Sequence, residues 1–127
     1  MIFLDKITVL ALHKKVIDRI GGSDGLRDDG LLDSALAAPK NRHYYEDASL
    51  STCAAAYAFH LVRNHPFVDG NKRIGAASAE LFVALNGEAF TATNDEIVDA
   101  FLRLAAGELS RPDLEQWFAS KVQAPLA

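Results

Sequence analysis

The sequence predicts an all-α fold, a compact bundle of about six helices in a single domain that spans residues 1–127. Apolar residues recur at helical intervals along nearly the whole chain, and residues that start or stop helices separate these segments. Alternation of apolar and polar residues, the pattern of a strand, is limited to a few positions within 88–91. With 127 residues, 50% of them hydrophobic, the chain is long enough to bury its own core.

The first helix is expected to begin after Asp5, whose carboxylate can cap it, and to end at Gly21–Gly22. Leu4 and Val9 flank this cap as a hydrophobic staple. The apolar face predicted for this helix consists of Ile7, Leu10, Ala11 and Ile17. A polar loop is expected to follow over residues 23–30, where glycine and aspartate are frequent.

A short second helix is predicted to end at Pro39, since proline lacks the N–H group that a helix interior needs. Its apolar residues are Leu31, Leu32, Ala35 and Leu36. Ser49 is the predicted cap of the third helix. The apolar face of the third helix holds Leu50, Cys53, Ala54, Tyr57 and Leu61. This helix must end near Asn64, because Pro66 disfavours the α conformation at His65.

The fourth helix is predicted to start at Gly70 and to stop at Asn86–Gly87. Its apolar stripe consists of Ile74, Ala77, Ser78, Leu81, Phe82 and Leu85. A capping box of Thr93 and Glu96 opens the fifth helix, and Gly107 closes it. The apolar residues of the fifth helix are Ile97, Val98, Phe101, Leu102 and Leu104.

The sixth helix is predicted to begin at Ser110, which can cap it, with Pro112 in the first turn. Leu109 and Leu114 flank this cap as a second staple. The apolar residues assigned to the sixth helix are Trp117, Phe118 and Val122. These six segments leave no repeat and no low-complexity tract in the chain.

Composition narrows the possible functions. Thirteen Lys and Arg residues against 17 Asp and Glu give a formal net charge of −4, without the basic excess that nucleic-acid binding needs. Four aromatic residues are therefore expected to pack rather than to stack on bases: Tyr44, Tyr45, Trp117 and Phe118. Cys53, the single cysteine, cannot form an internal disulfide or a structural zinc site and is expected in the core. The N-terminus lacks the order of a signal peptide, which favours a soluble cytoplasmic protein.

The segment 65–73, His-Pro-Phe-Val-Asp-Gly-Asn-Lys-Arg, places several reactive side chains in one turn between the third and fourth helices. Gly70 and Asn71 begin a helix, where unpaired N–H groups and the positive end of the helix dipole attract an anion. Cations are normally unfavourable there, so Lys72 and Arg73 are consistent with a bound phosphate that supplies the negative charge. Residues 70–73 are therefore predicted to bind nucleotide phosphates.

Three further side chains of this segment have predicted roles. Asp69 can cap the helix and can also hold Mg²⁺ against phosphate oxygens, because Mg²⁺ takes one or two carboxylates together with phosphates and water. His65 can accept a proton from an attacking hydroxyl near neutral pH. Phe67 is expected to point into the core and to anchor the turn. The remaining histidines are expected to be surface or interior polar residues rather than metal ligands: His13, His43 and His60.

The segment 65–73 resembles the signature of the Fic/Doc family, H-x-F-x-[DE]-[GA]-N-[GK]-R. Further segments resemble the N-terminal half of the death-on-curing (Doc) branch, namely Gly21–Gly22, Gly25–Asp28 and Gly30–Leu36. The resemblance covers most of the chain and implies the helical bundle of that family, with the motif between two central helices. Its implied roles are general base for His65, Mg²⁺ ligand for Asp69, and phosphate binding for Asn71, Lys72 and Arg73.

Members of this family transfer a phosphate-containing group from a nucleotide to a target hydroxyl, most often by adenylylation. Lys72 occupies the place where adenylylating members have a second glycine, and Doc-type toxins share this lysine. The resemblance therefore implies a protein kinase in which the nucleotide is inverted and ATP donates its γ-phosphate. It further implies a Phd-like antitoxin as partner and translation elongation factor Tu as target, so that the reaction blocks translation.

Two alternatives stay open. The first is Fic-type adenylylation of a protein hydroxyl, and the second is a catalytically silent bundle that docks a partner helix in an apolar groove. An enzyme should be stabilised by ATP with Mg²⁺, whereas a docking module should not. The sequence shows no helix that resembles the inhibitory glutamate helix of the family, which favours inhibition by a separate partner.

Overall fold

A computed structural model describes residues 1–124 and confirms the predicted all-α fold. Residues 125–127 of the predicted domain lie outside this description. The elements are α1 (Lys6–Ile20), α2 (Asp29–Glu46), α3 (Leu50–Asn64), α4 (Asn71–Leu85), β1 (Ala89–Phe90), α5 (Asn94–Ala105), α6 (Arg111–Lys121) and β2 (Val122–Gln123). Within residues 1–124, no helix combines the length and the apolar character that crossing a membrane requires.

The helix α3 is central, and α2, α4, α5 and α6 pack around it. Its buried residues are mostly small, with alanine at positions 54–56 and 58, so neighbouring helices can approach closely. Cys53 is buried as expected, and this burial raises the pKa of its thiol to about 11. Tyr57 is also buried, and its hydroxyl accepts a hydrogen bond from the Leu4 N–H over 2.9 Å. This bond attaches the N-terminal segment to the core.

The ends of α1 agree with the sequence, but its predicted buried face is wrong except at Ile17. The Asp5 carboxylate accepts a hydrogen bond from the Thr8 N–H, and the helix ends at Gly21. The buried residues are Val9, His13 and Ile17, whereas Ile7, Leu10 and Ala11 are exposed. Hydrophobic spacing missed this face because a histidine occupies its middle position. A polar side chain is buried there since it has a hydrogen-bond partner in the turn before α4.

The helix α2 does not end at Pro39 as predicted but continues through it to Glu46. Proline in a helix interior costs about 3 kcal/mol. Tertiary contacts offset this cost, because Pro39 is buried against α3 and its carbonyl accepts a 3.6 Å contact from the Cys53 thiol. Beyond the proline, Arg42 pairs with Glu115 of α6 over 2.7 Å. Packing against α3 and the ion pair with α6 therefore outweigh the local preference.

The C-terminal part follows its predicted caps. Thr93 and Glu96 form both hydrogen bonds of the capping box at α5, and the Ser110 hydroxyl caps α6. Val122 belongs to β2 rather than to the sixth helix, because it pairs with Phe90 in the short antiparallel strand pair. This pair contains the strand-like segment expected near residues 88–91.

The prediction that four aromatic residues pack holds for the two on α6 but not for those on α2. Phe118 is fully buried, and Trp117 packs against the core. Tyr44 and Tyr45, near the C-terminal end of α2, are 73% and 84% exposed. Their exposure is the main departure of the aromatic residues from the sequence prediction.

Candidate functional site

The turn between α3 and α4 begins with a change of backbone direction at His65. The helix α3 ends at Asn64, and His65 takes the left-handed conformation, with φ 51° and ψ 54°. This conformation is uncommon for a residue with a side chain. It ends the right-handed helix and leaves the imidazole exposed at the surface.

Phe67 and Asn71 hold this turn together. Phe67 is 1% exposed, and its ring stacks on the His13 ring with centroids 3.8 Å apart and planes 9° apart. The Asn71 side chain accepts a hydrogen bond from the Phe67 N–H and donates one to the Phe67 carbonyl, both over 3.0 Å. The Asn71 amide group is therefore used to close the turn. The expected part of Asn71 in phosphate binding stays a prediction.

The Asp69 carboxylate is held by two backbone N–H groups. One oxygen accepts from Gly70 over 2.8 Å, and the other accepts from Ser23, in the loop after α1, over 3.2 Å. The pKa of Asp69 is lowered most by the hydrogen bond from Ser23 and next by that from Gly70. The positive charge of Arg73 lowers it further. The carboxylate is thus ionised at neutral pH.

The expected capping role of Asp69 is wrong. The residue at the N-cap position of α4 is Gly70, which has φ 77°, and no side chain caps the helix. The reason is that the Asp69 carboxylate accepts its hydrogen bonds from the N–H groups of Gly70 and Ser23 and caps none of the N–H groups of α4. The first N–H groups of α4 therefore stay without a side-chain cap.

The loop after α1 approaches Asp69 closely at Gly22. A Cβ atom at this position would lie 2.6 Å from an Asp69 carboxylate oxygen, which is closer than such atoms normally come. Gly22 also has φ 116°, a conformation that side chains disfavour. His13 supports the same residue from α1, because its ring nitrogen Nε2 donates to the Asp69 carbonyl over 2.8 Å.

The segment 25–28 pairs with the turn, which sequence reasoning did not predict. Leu26 and Phe67 form an isolated antiparallel bridge, and the Val68 N–H donates to the Gly25 carbonyl over 3.0 Å. The Arg27 guanidinium donates to the carbonyls of Asn64 and His65, where α3 ends and the turn begins. The resemblance of Gly25–Asp28 to the Doc branch is the sequence signal that points to this segment.

Most residues of the 65–73 segment line an open cavity of about 590 Å³. Its wall consists of Ile20, Gly21, Gly22, Val62, His65, Asp69, Gly70, Asn71, Lys72, Arg73 and Ala105. Six of the seven predicted site residues thus face one cavity, and Phe67 lies behind them in the core. The cavity is cationic on the α4 side, where Lys72 and Arg73 are exposed, and apolar at Ile20, Val62 and Ala105.

Two other histidines, His13 and His60, are buried and half-buried, respectively. His13 is buried and bonded to the Asp69 carbonyl, which makes it an interior polar residue as expected. Burial lowers the pKa of His60, so its neutral form is favoured. Across residues 1–124, no three His, Cys, Asp or Glu side chains are grouped so that they could hold a metal.

The fold and site thus define a helical bundle in which one loop-to-helix motif presents a histidine, a carboxylate and a cationic helix N-terminus to an open cavity. Comparison with known proteins identifies the family. Residues 3–83 match the model of the Fic/DOC family. The chain belongs to the Fic/Doc family, in agreement with the resemblance found in its sequence.

Two relatives are similar over much of the chain. The protein named "Protein kinase doc" of Escherichia phage P1 is 35% identical over 104 residues, which are 80% of this chain and 81% of that protein. The protein named "Toxin Doc" of Mycolicibacterium smegmatis is 46% identical over 77 residues, which are 59% of each chain. Both names belong to the Doc branch.

Proposed function

We propose that this chain is a nucleotide-dependent protein phosphotransferase that uses ATP and Mg²⁺ to phosphorylate a hydroxyl of a target protein. The observation that carries the proposal is the convergence of an exposed histidine, an ionised carboxylate and an uncapped cationic helix N-terminus on one cavity. Phosphoryl transfer needs these three parts as base, metal ligand and phosphate cradle. A relative named as a protein kinase supports the same chemistry.

The phosphates of the nucleotide are assigned to the first turn of α4. Its initial N–H groups lack partners within the helix, and the N-cap Gly70 has no side chain to supply one. Lys72 and Arg73 line the cavity beside these groups. Without a ligand, both cations oppose the positive end of the helix dipole. A bound polyphosphate attracts both cations and the positive end of the dipole, and its oxygens accept hydrogen bonds from the free N–H groups.

Asp69 fits the Mg²⁺ that the proposal requires. Its carboxylate is ionised, and each oxygen accepts one hydrogen bond, which leaves a second acceptor position on each. A hard carboxylate oxygen beside a phosphate site suits Mg²⁺, which takes few protein ligands and completes its shell with phosphates and water. When bound there, Mg²⁺ neutralises charge on the phosphates.

His65 is the proposed general base. Its imidazole is exposed and lines the same cavity as Asp69, so a hydroxyl on a large protein can reach it. The imidazole takes the hydroxyl proton while the hydroxyl oxygen bonds to the γ-phosphorus. The bond from the γ-phosphorus to the bridging oxygen breaks, and ADP leaves with that oxygen. His65 therefore acts on the target rather than on the nucleotide.

The proposed biological role is that of a Doc-like toxin in a toxin–antitoxin pair, with a Phd-like antitoxin as its partner. The relative named "Toxin Doc" supports this role. Translation elongation factor Tu is the proposed target, and its phosphorylation would block translation. Purified elongation factor Tu should accept label from ATP in the presence of the chain. If a bacterial lysate shows label on a different protein and none on elongation factor Tu, that other protein is the target.

Separate labelling of the α- and γ-phosphates of ATP tests the chemistry. A kinase passes only the γ label to the target and releases ADP, whereas an adenylyltransferase passes the α label and releases pyrophosphate. Transfer of the γ label is expected, and Lys72→Gly should shift the surviving activity toward the α label. Transfer of the α label by the unmodified chain contradicts the kinase proposal. Absence of both transfer and stabilisation by ATP with Mg²⁺ would favour a docking module.

A further inference from the structure

We infer that Arg27, which lies outside the signature segment, is a positioning residue for the base His65; this inference rests on the proposed function. The Arg27 Nε donates to the His65 carbonyl over 2.6 Å, and its Nη2 donates to the Asn64 carbonyl over 3.0 Å. The two bonds form a fork across the last peptide groups before the turn. Arg27 does not line the cavity, so it acts through His65 rather than on a substrate.

The backbone at His65 needs such support. Its φ of 51° places a residue with a side chain in the left-handed region, a conformation that persists only where the surroundings hold it. The carbonyls of Asn64 and His65 lie at the end of α3, where carbonyl groups lack partners within the helix. A guanidinium satisfies both carbonyls, and its positive charge suits the negative end of the helix dipole.

The Arg27 side chain can be tested separately from its backbone. The N–H groups of Arg27 and Asp28 both donate to the Pro66 carbonyl, over 2.8 and 3.0 Å. These bonds and the bridge between Leu26 and Phe67 remain when only the side chain is changed. A substitution at Arg27 therefore removes the fork while the loop keeps its pairing with the turn.

The experiment compares Arg27→Ala and Arg27→Lys with the control Arg103→Ala, which removes an exposed cation of α5 that faces Asp99 at 4.0 Å. At saturating ATP, Arg27→Ala should lower kcat for transfer about 10- to 100-fold, because a small displacement of a catalytic group has a large effect. The Kd for ATP should not change, since the phosphate site lies on α4. Arg27→Lys should lower kcat nearly as much as Arg27→Ala does, because an ammonium group cannot form the two-pronged contact.

Rescue distinguishes positioning from a general loss of structure. Millimolar methylguanidinium should restore part of the activity of Arg27→Ala, because the side chain is exposed, but none of the activity of His65→Ala. The Cα chemical shift of His65, which reports its φ and ψ, should change in Arg27→Ala and stay unchanged in Arg103→Ala. An unchanged kcat in Arg27→Ala, or full activity in Arg27→Lys, overturns the inference.

The same experiment separates this inference from the proposed function. If the unmodified chain transfers no label at all, the proposed function fails. The chemical shift of His65 then decides the case alone: an unchanged shift in Arg27→Ala overturns the inference, and a changed shift supports the hold of Arg27 on His65.

Discussion

The carboxylate of Asp69 depends on a neighbouring residue that has no side chain. Gly22 leaves the space in which an Asp69 oxygen sits, and the following N–H, from Ser23, donates to that oxygen. The hydrogen bond lowers the pKa of Asp69 and keeps the carboxylate oriented toward the cavity. A glycine in the loop after α1 thus determines the geometry of a side chain that lies 47 positions later in the sequence.

Gly22→Ala is therefore expected to disturb Asp69 as well as the loop. The new Cβ would meet the carboxylate at 2.6 Å, and the φ of 116° adds backbone strain. The free energy of unfolding should fall by roughly 1–3 kcal/mol, and binding of ATP with Mg²⁺ should weaken. Urea denaturation and calorimetric titration measure the two effects.

The matched control is Gly87→Ala, which imposes a similar backbone strain at φ 80° in open space, far from the cavity. It should lower stability but leave nucleotide binding unchanged. Equal nucleotide affinity in Gly22→Ala and the unmodified chain would contradict the role assigned to this close approach.

At the scale of helices, the ends are defined locally and the interiors by packing. Glu96 illustrates the first case, because its carboxylate accepts from the Thr93 N–H at the start of α5 and also pairs with Lys121 at the end of α6. The Lys121 ammonium and then the Thr93 N–H lower the pKa of Glu96 to about 2. One side chain thus caps a helix and connects two elements.

The pH dependence of this link can be predicted with its sign. A carboxylate whose pKa is depressed in the folded state contributes stability that is present above its unfolded pKa and is lost as the pH falls through the folded value. Since the ordinary value is 4.5 and the folded value about 2, the contribution of Glu96 should be complete at pH 7 and disappear between these two values.

Glu96→Gln keeps the capping box and removes the ion pair. Its urea midpoint should be lower than that of the unmodified chain at pH 7 and should approach it near pH 2. Glu108→Gln, which removes an exposed carboxylate outside this pair, is the control for the loss of one charge. Equal midpoints of Glu96→Gln and the unmodified chain at pH 7 would show that the ion pair contributes nothing.

For the molecule as a whole, the sequence was a good guide to features that depend on neighbouring residues. The caps at Asp5, Ser49, Thr93 and Ser110 each need only four consecutive positions, and the structure confirms all four. The cavity wall likewise comes mainly from the continuous segment 65–73. A motif of this kind can be predicted from sequence because its residues are consecutive and form one turn, so they stay close in space.

Features that depend on distant residues were missed. Pro39 stays inside α2 because α3 packs against that helix and an ion pair joins its later part to α6, and no local pattern reports these contacts. His13 is buried because a partner 56 positions away accepts its hydrogen bond. Arg27 lies in a polar loop, and only the fold brings its guanidinium to the end of α3. The sequence therefore identifies the reactive groups that face the cavity and the buried Phe67 beside them, but not the distant residues that hold the turn in place.

The final prediction concerns the response of the whole molecule to nucleotide. A ligand that binds only the folded state raises its stability by about 2.7 kcal/mol at about a hundredfold excess over Kd, which corresponds to a rise of several degrees in Tm. ATP with Mg²⁺ should therefore raise the Tm of the unmodified chain. His65→Ala should keep this rise and lose transfer by about 10²- to 10⁴-fold, because the base acts on the target hydroxyl. Asp69→Asn should lose the part of the Tm rise that depends on Mg²⁺, since a neutral amide is a poor ligand for this ion. A Tm rise in Asp69→Asn that responds to Mg²⁺ as in the unmodified chain would remove Asp69 from metal binding, and normal transfer by His65→Ala would remove His65 from the reaction.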